Sequence, residues 1–301
     1  MKILELNNVS KSIKKNKILK NISFSIDEGE IVGFVGPNGA GKTTTLKVIT
    51  NLLYQDQGQV IIAGNDTSKN REQALANIGA IIENPGLYTF LTGRENLDFI
   101  RKLRKISKEK MEEIIKFTGL KERIDDKVEK YSLGMKQRLA LGMSLITNPK
   151  LLLLDEPTNG LDPTGVEELR EILKKLSKEE NISVFISSHQ LSEIEKICDR
   201  VIFIKAGEII NLDKNVLEIK GQTIKLKINI ENQEELAKNI FKDCEFVNKI
   251  QFKDGYLIVN IKENKLSEFL KLLTNNDIEF SDLDIIKDSV ENKYDQIFRE
   301  N

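Results

Sequence analysis

The 301-residue sequence contains one histidine, two cysteines and five prolines. It has no surplus charge of either sign: 46 Lys plus Arg stand against 47 Asp plus Glu. A nucleic-acid-binding domain usually shows a basic excess, so no nucleic-acid partner is expected. No apolar run approaches the roughly 20 residues that span a bilayer. The N-terminal stretch MKILELNNVS lacks an apolar signal core, so the chain is expected to stay in the cytosol. In that compartment Cys198 and Cys244 are expected to be unpaired, buried thiols. Taken alone, His189 reads as an imidazole satisfied inside a core. What is present, 31% charged and 40% hydrophobic residues, is a globular composition long enough for one large domain or two smaller ones.

The prolines divide the chain. Pro37, Pro85, Pro149, Pro157 and Pro163 are followed by none. Up to about residue 210 strand-like and helix-like segments alternate: EIVGFVG, LLLLDEP and ISVFISSH are apolar strands, each followed by a helical stretch. Such alternation predicts an α/β domain around a mostly parallel, buried sheet. Beyond it, TIKLKINI (Thr223–Ile230) alternates polar and apolar residues as a half-solvated strand does, and KDG precedes a second strand, YLIVNI. Leu266, Phe269, Leu270 and Leu273 follow helical spacing, as do Val290, Tyr294, Ile297 and Phe298. Residues 1–211 are therefore expected to form the α/β domain and residues 212–301 a small α+β domain.

The segment GPNGAGKTTT, between an apolar strand and a helix, fits the GxxxxGK[ST] pattern of a P-loop. Gly36, Gly39 and Gly41 let the loop, which also runs through Pro37, Asn38 and Ala40, turn the backbone N–H groups it has inward around a phosphate chain, Pro37 having none to offer. Lys42 reaches the β- and γ-phosphates, Thr43 can coordinate Mg²⁺, and the helix that Thr44 continues adds its partial positive charge. The chain is expected to bind a nucleoside triphosphate. In LLLLDEPTNGLDP a buried strand ends on Asp155, placed to hold Mg²⁺, and Glu156, placed to orient or deprotonate an attacking water. Ahead of it, YSLGMKQRLALGMSLITNP offers Ser132 as the N-cap of a helix with apolar spacing at Leu139, Met143 and Ile146. Ser132 and Gly134 at that helix start make a second anion site.

Together these segments resemble the ATP-binding subunits of ABC transporters over essentially all of residues 1–210. SLGMKQR resembles the family signature LSGGQ, and NGLDP the D-loop after the catalytic glutamate. IIENPGLYTFLTGRENL occupies the Q-loop position, and SSHQLSEIEKICDRVIFIKAGEII matches the switch-histidine segment. The resemblance implies a P-loop NTPase fold with a mixed sheet core, an antiparallel β subdomain and a helical signature subdomain. It implies ATP hydrolysis with Mg²⁺ in a dimer of ATP-binding subunits, identical or different, docked on a separately encoded integral-membrane permease at the inner face of the cell membrane. By resemblance Ser132 and Gly134 face the γ-phosphate of the partner's ATP, His189 contacts the γ-phosphate of its own site, and Asp162 joins the ATP-binding set. The lone histidine thus becomes catalytic machinery beside Glu156.

Four positions depart from the family pattern. Leu133 replaces a glycine and Met135 a glutamine in the signature, while Ser132 and Gly134 are kept. Ile13 stands where an aromatic would stack on adenine, which removes the π-face. Glu83 stands at the Q-loop glutamine, near where Mg²⁺ is expected beside Thr43 and Asp155. Glu83, the SLGMKQR signature and the C-terminal extension resemble the bacitracin-resistance and lantibiotic-immunity branch of exporters. Two other classes stay open: a soluble ABC ATPase of translation or DNA repair, and a nucleotide-binding module without hydrolysis. The doubled cassette or long coiled-coil insertion of the first is not visible, and Glu156 and His189 speak against the second.

Overall fold

A computed structural model describes residues 1–189, 191–210, 223–230, 233–241, 244, 246–253, 255–262 and 265–287. The chain divides into two compact units, Met1–Leu217 and Glu218–Asn301. The first begins with strands β1 (Lys2–Ile13), β2 (Asn16–Asp27) and β3 (Ile31–Val35) and helix α1 (Lys42–Ile49). Next come β4 (Gln57–Ile62), β5 (Asn65–Asp66), α2 (Arg71–Leu75) and β6 (Ile78–Ile81). Three helices follow, α3 (Gly93–Arg104), α4 (Lys108–Thr118) and α5 (Leu133–Leu145). The unit closes with β7 (Leu151–Asp155), α6 (Pro163–Glu180), β8 (Ser183–Ser188), α7 (Leu191–Ile197), β9 (Arg200–Lys205) and β10 (Glu208–Ile210).

Two sheets form this unit. One is antiparallel, in the order β2-β1-β4-β5; the other has the order β10-β9-β3-β8-β7-β6. In the second sheet β9, β3, β8, β7 and β6 run parallel and only the edge strand β10 is antiparallel, so the sheet is mixed. Strands covered on both faces carry unbroken apolar runs, and every residue of β3 and β8 is buried. Phe24 of β2 packs against Phe34 and Phe185 with ring centroids 5.4–5.8 Å away, joining the two sheets in one core.

Helix ends follow local chemistry. Thr92 and Glu95 make a reciprocal capping box at α3, and Asp162 caps α6 ahead of Pro163 in its first turn. Ser132 caps α5 as its sequence predicts, accepting from the Met135 N–H at 3.3 Å. Helices α3, α4 and α5 pack on one another and form the helical subdomain.

The second unit comprises β11 (Thr223–Asn229), α8 (Glu234–Phe241), β12 (Val247–Lys253), β13 (Tyr256–Lys262), α9 (Leu266–Asn275) and β14 (Asp282–Lys287). The sheet order is β12-β13-β11-β14, antiparallel throughout. A βαββαβ chain in that order is a ferredoxin-like split-βαβ sandwich. The alternation of β11 sends Ile224, Leu226 and Ile228 inward against both helices, where Phe241 and Phe269 stack at 5.1 Å. Val290, Tyr294, Ile297 and Phe298, the other expected helical set, lie outside the described residues.

Candidate functional site

The strand order β3-β8-β7 does what the sequence order does not. It brings the C-terminal ends of three parallel strands side by side, so the loop after Val35, His189 after Ser188, and Asp155–Glu156 converge. Crevices outside the carboxyl ends of parallel strands are where open α/β sheets bind ligands.

The P-loop is shaped by steric necessity. A Cβ on Gly36 would lie 2.2 Å from the Ile204 carbonyl oxygen of β9, so the chain passes that strand only without a side chain. Gly41 takes φ 111° directly before α1, where an L-residue would be strained. A Cβ on Gly39 would meet nothing within 4 Å. Asn38 and Gly39 are exposed at the rim of the loop, Pro37 and Thr44 half-buried, and Ala40 buried.

Lys42 is only 5% exposed and folds back over the loop. Its Nζ donates to the carbonyls of Gly36 at 2.8 Å and Pro37 at 3.3 Å, and lies 3.3 Å from Glu156 Oε1. A buried ammonium held by loop carbonyls beside an open rim fits the phosphate chain of a nucleotide. One residue on, Thr43 Oγ1 donates to Asp155 Oδ2 at 2.8 Å. A hydroxyl and a carboxylate are hard oxygen donors of the kind Mg²⁺ takes.

Glu156 sits at φ 48°, a left-handed conformation unusual for a glutamate, in the turn after β7. Its Oε2 receives the Asn159 amide at 2.5 Å and lies 2.8 Å from His189 Nδ1. Burial pushes the Glu156 carboxyl up, but the Asn159 amide, the Lys42 ammonium and His189 outweigh it and hold it below its ordinary value. The group is therefore an ionised carboxylate at neutral pH, as a proton acceptor must be.

Sequence reasoning missed two residues here. Ser187, fully buried in β8, donates from Oγ to Asp155 Oδ1 at 2.5 Å and accepts from the Glu156 N–H at 3.0 Å. It therefore orients both carboxylates; the signal was the pair of serines just before His189. Asn159 was legible as part of NGLDP but not as a partner of Glu156.

Other expected site residues stand apart from this cluster. Glu83, at φ 60°, pairs with Lys47 of α1 at 2.6 Å rather than with Thr43 or Asp155, and its side chain is 58% exposed. Asp162 accepts from the Gly165 N–H at 2.9 Å, which is its helix-capping bond. Ile13 ends β1 with 41% exposure. Ser132 is exposed at the start of α5, and Gly134 is half-buried beside it. Cys198 and Cys244 form no disulfide, Cys198 being buried and Cys244 half-buried. Among the described residues no helix is long and apolar enough to cross a membrane.

Known proteins are similar to this chain in sequence and fold. A family model for ABC transporters matches residues 19–159, from β2 through Asn159. The bacitracin transport ATP-binding protein BcrA of Bacillus licheniformis is 35% identical over 97% of this chain and 96% of its own length. The lantibiotic transport ATP-binding protein SrtF of Streptococcus pyogenes is 41% identical over 79% of this chain and 96% of its own. Among solved structures, a dimeric ATP-binding cassette in a post-hydrolysis state, bound to ADP and Pi, matches with a TM-score of 0.64. It is 30% identical, over 72% of this chain and 99% of that one. A phosphate cradle set beside an ionised glutamate, with full-length relatives at this identity, leaves one conclusion: the chain belongs to the ABC transporter family as an ATP-binding subunit, an ATPase.

Proposed function

We propose that this ATPase energises export of an antimicrobial peptide or similar amphipathic compound, of the bacitracin or lantibiotic type, through a separately encoded integral-membrane permease. Support for the cargo class comes from BcrA, which aligns along nearly the whole chain, and from SrtF. The subunit then works at the inner face of the cell membrane as half of a dimer, for which the dimeric cassette is the precedent.

The observation that carries the hydrolytic part is the Glu156 carboxylate, held between Lys42 Nζ on one oxygen and His189 on the other. In this reading the loop from Gly36 to Thr44 wraps the phosphate chain, and Lys42 exchanges its carbonyl partners for the β- and γ-phosphates. Thr43 and Asp155 would hold Mg²⁺, which would supply Lewis-acid neutralisation of the phosphate charge. Glu156 takes the proton of the attacking water, and His189 contacts the γ-phosphate while keeping Glu156 in place. Ser132 and Gly134 serve the partner's nucleotide, with Asp162 holding the adjoining loop at the dimer seam, and Ile13 covers the adenine without stacking on it.

The test uses a peptide-sensitive host that expresses the chain together with an adjacently encoded permease. Protection against bacitracin or a lantibiotic should depend on Glu156, disappearing in Glu156→Gln. Unchanged sensitivity with the unaltered pair would return the cargo to that of a general exporter, and retained protection in Glu156→Gln would remove Glu156 from its role.

A further inference from the structure

Leu133 stands where the family pattern has glycine, and its surroundings give the side chain a use. It opens α5 directly after the Ser132 cap and is 44% exposed. Its Cδ2 lies over Gly160, where an added Cβ would come within 2.8 Å of it. Gly160 has φ 75°, so glycine is required there by the backbone as well as by the leucine methyl. Leu161 reaches back: its Cδ2 is 4.0 Å from where a Cβ on Gly134 would stand and 3.7 Å from one on Gly165. The signature turn and the loop after Glu156 therefore touch through apolar side chains within a single chain.

That same loop grips the Glu156 carboxylate. The Asn159 N–H donates to the Glu156 carbonyl at 3.1 Å, and its side-chain amide donates to Oε2 at 2.5 Å. Both ends of the loop are anchored, at the start by the Glu156 N–H on Ser187 and at the end by Asp162 on the first turn of α6. Pro157 and Thr158 are buried, whereas Asn159 and Gly160 are exposed. The Leu161 N–H is tied back to the Thr158 carbonyl at 3.2 Å, so Asn159 and Gly160 are the exposed part of the loop and the part nearest Leu133.

We infer that Leu133, Gly160 and Asn159 form an intrachain relay from the signature turn to Glu156, so that nucleotide engaged at Ser132 changes the hold on the carboxylate of the same chain. This rests on the reading that Ser132 faces the partner's nucleotide. In the structure Asn159 and His189 share Oε2 and Lys42 lies against Oε1, so both carboxylate oxygens are committed. Engagement pushes Leu133 against Gly160 and Asn159 shifts, which leaves Oε2 to His189 and opens its other side to water. Leu133 and Asn159 are positioning residues: neither touches the phosphates.

The experiment is a mutant cycle on the full chain, read as ATPase rate against ATP concentration. Leu133→Ala should lower kcat about fivefold with KM unchanged, since contacting pairs couple by amounts of that order. Leu133→Met, which still reaches Gly160, should keep most of the rate. In an Asn159→Ala background the Leu133→Ala change should have no further effect on kcat. A second fivefold loss there would overturn the relay. A separate readout is ATP-driven dimerisation by light scattering in the Glu156→Gln background. Leu133→Ala should dimerise at unaltered ATP concentrations, because its contact is internal, whereas Ser132→Arg should not dimerise. Weakened dimerisation of Leu133→Ala would place Leu133 at the partner surface and defeat the relay. Normal dimerisation of Ser132→Arg would instead defeat the reading of Ser132, whatever Leu133 does.

Discussion

Ser187→Ala tests how the site is held, because the change removes one oxygen that two carboxylate-bearing residues share. The hydroxyl is fully buried, donates to Asp155 Oδ1 at 2.5 Å and accepts from the Glu156 N–H at 3.0 Å. A hydrogen bond to a charged group contributes about 1.5–3 kcal/mol. Two observations reduce that here. The Glu156 N–H also reaches the Ser187 carbonyl oxygen at 3.1 Å, so it is not orphaned, and Asp155 is half-buried, so water can replace part of the lost bond. A net loss of about 1–2 kcal/mol follows, which in a unit of this size lowers Tm by roughly 2–8 °C. Turnover should suffer more than stability. Asp155 Oδ2 keeps Thr43, but Oδ1 is freed to rotate, so on the proposed reading the oxygens that would hold Mg²⁺ are less well oriented. We expect kcat to fall about tenfold and half-saturation in Mg²⁺ to rise, as loss of an outer-shell partner of a metal ligand does. Differential scanning fluorimetry and an ATPase assay titrated with Mg²⁺ read both effects. Melting curves and Mg²⁺ titrations that superimpose on those of the unaltered protein would refute the reasoning.

The remaining predictions concern single residues. Glu156→Gln should bind ATP normally while turnover falls at least tenfold to about a hundredfold, as loss of a general base does; an ATPase rate equal to that of the unaltered protein rules the assignment out. Glu83→Gln breaks the pair with Lys47, an exposed contact contributing below about 1 kcal/mol, so the fold should be unaffected. If Glu83 leaves Lys47 for Mg²⁺ during turnover, its Mg²⁺ titration shifts; a superimposed curve keeps Glu83 with Lys47 throughout. Ile13→Tyr should tighten ATP and sharpen its preference over GTP, because stacking adds roughly 0.5–1.5 kcal/mol; unchanged binding in a titration places the base elsewhere. Ser132→Arg and Lys42→Ala proteins should each be weak alone yet regain activity when mixed, and specific activity of the unaltered protein should climb with concentration. A flat profile from a demonstrated monomer argues against a shared site.

Much of this protein is written in short contiguous stretches. The loop from Gly36 to Thr44, the Asp155–Glu156 pair, the Ser132 cap and the alternation of β11 each depend on spacing within a few residues, where backbone geometry alone dictates the outcome. The family and the α/β class followed from their order along the chain. Tertiary structure decided which of them meet. His189 reaches Glu156 because β8 lies between β3 and β7, and strand order is set by how apolar faces pack, not by local propensity. Ser187 gained its role from the same adjacency, since an inward serine on a buried strand has no partner until the neighbouring strand is known. Glu83 went to Lys47, a residue 36 positions earlier on α1, through a contact that sequence spacing does not encode. In the second unit the two strands and the helix at Leu266 were legible, but α8, β12, β14 and the split order β12-β13-β11-β14 were not. Antiparallel pairing there is chosen by which strands share one buried face against two helices, a property of the assembled sheet that no single segment carries.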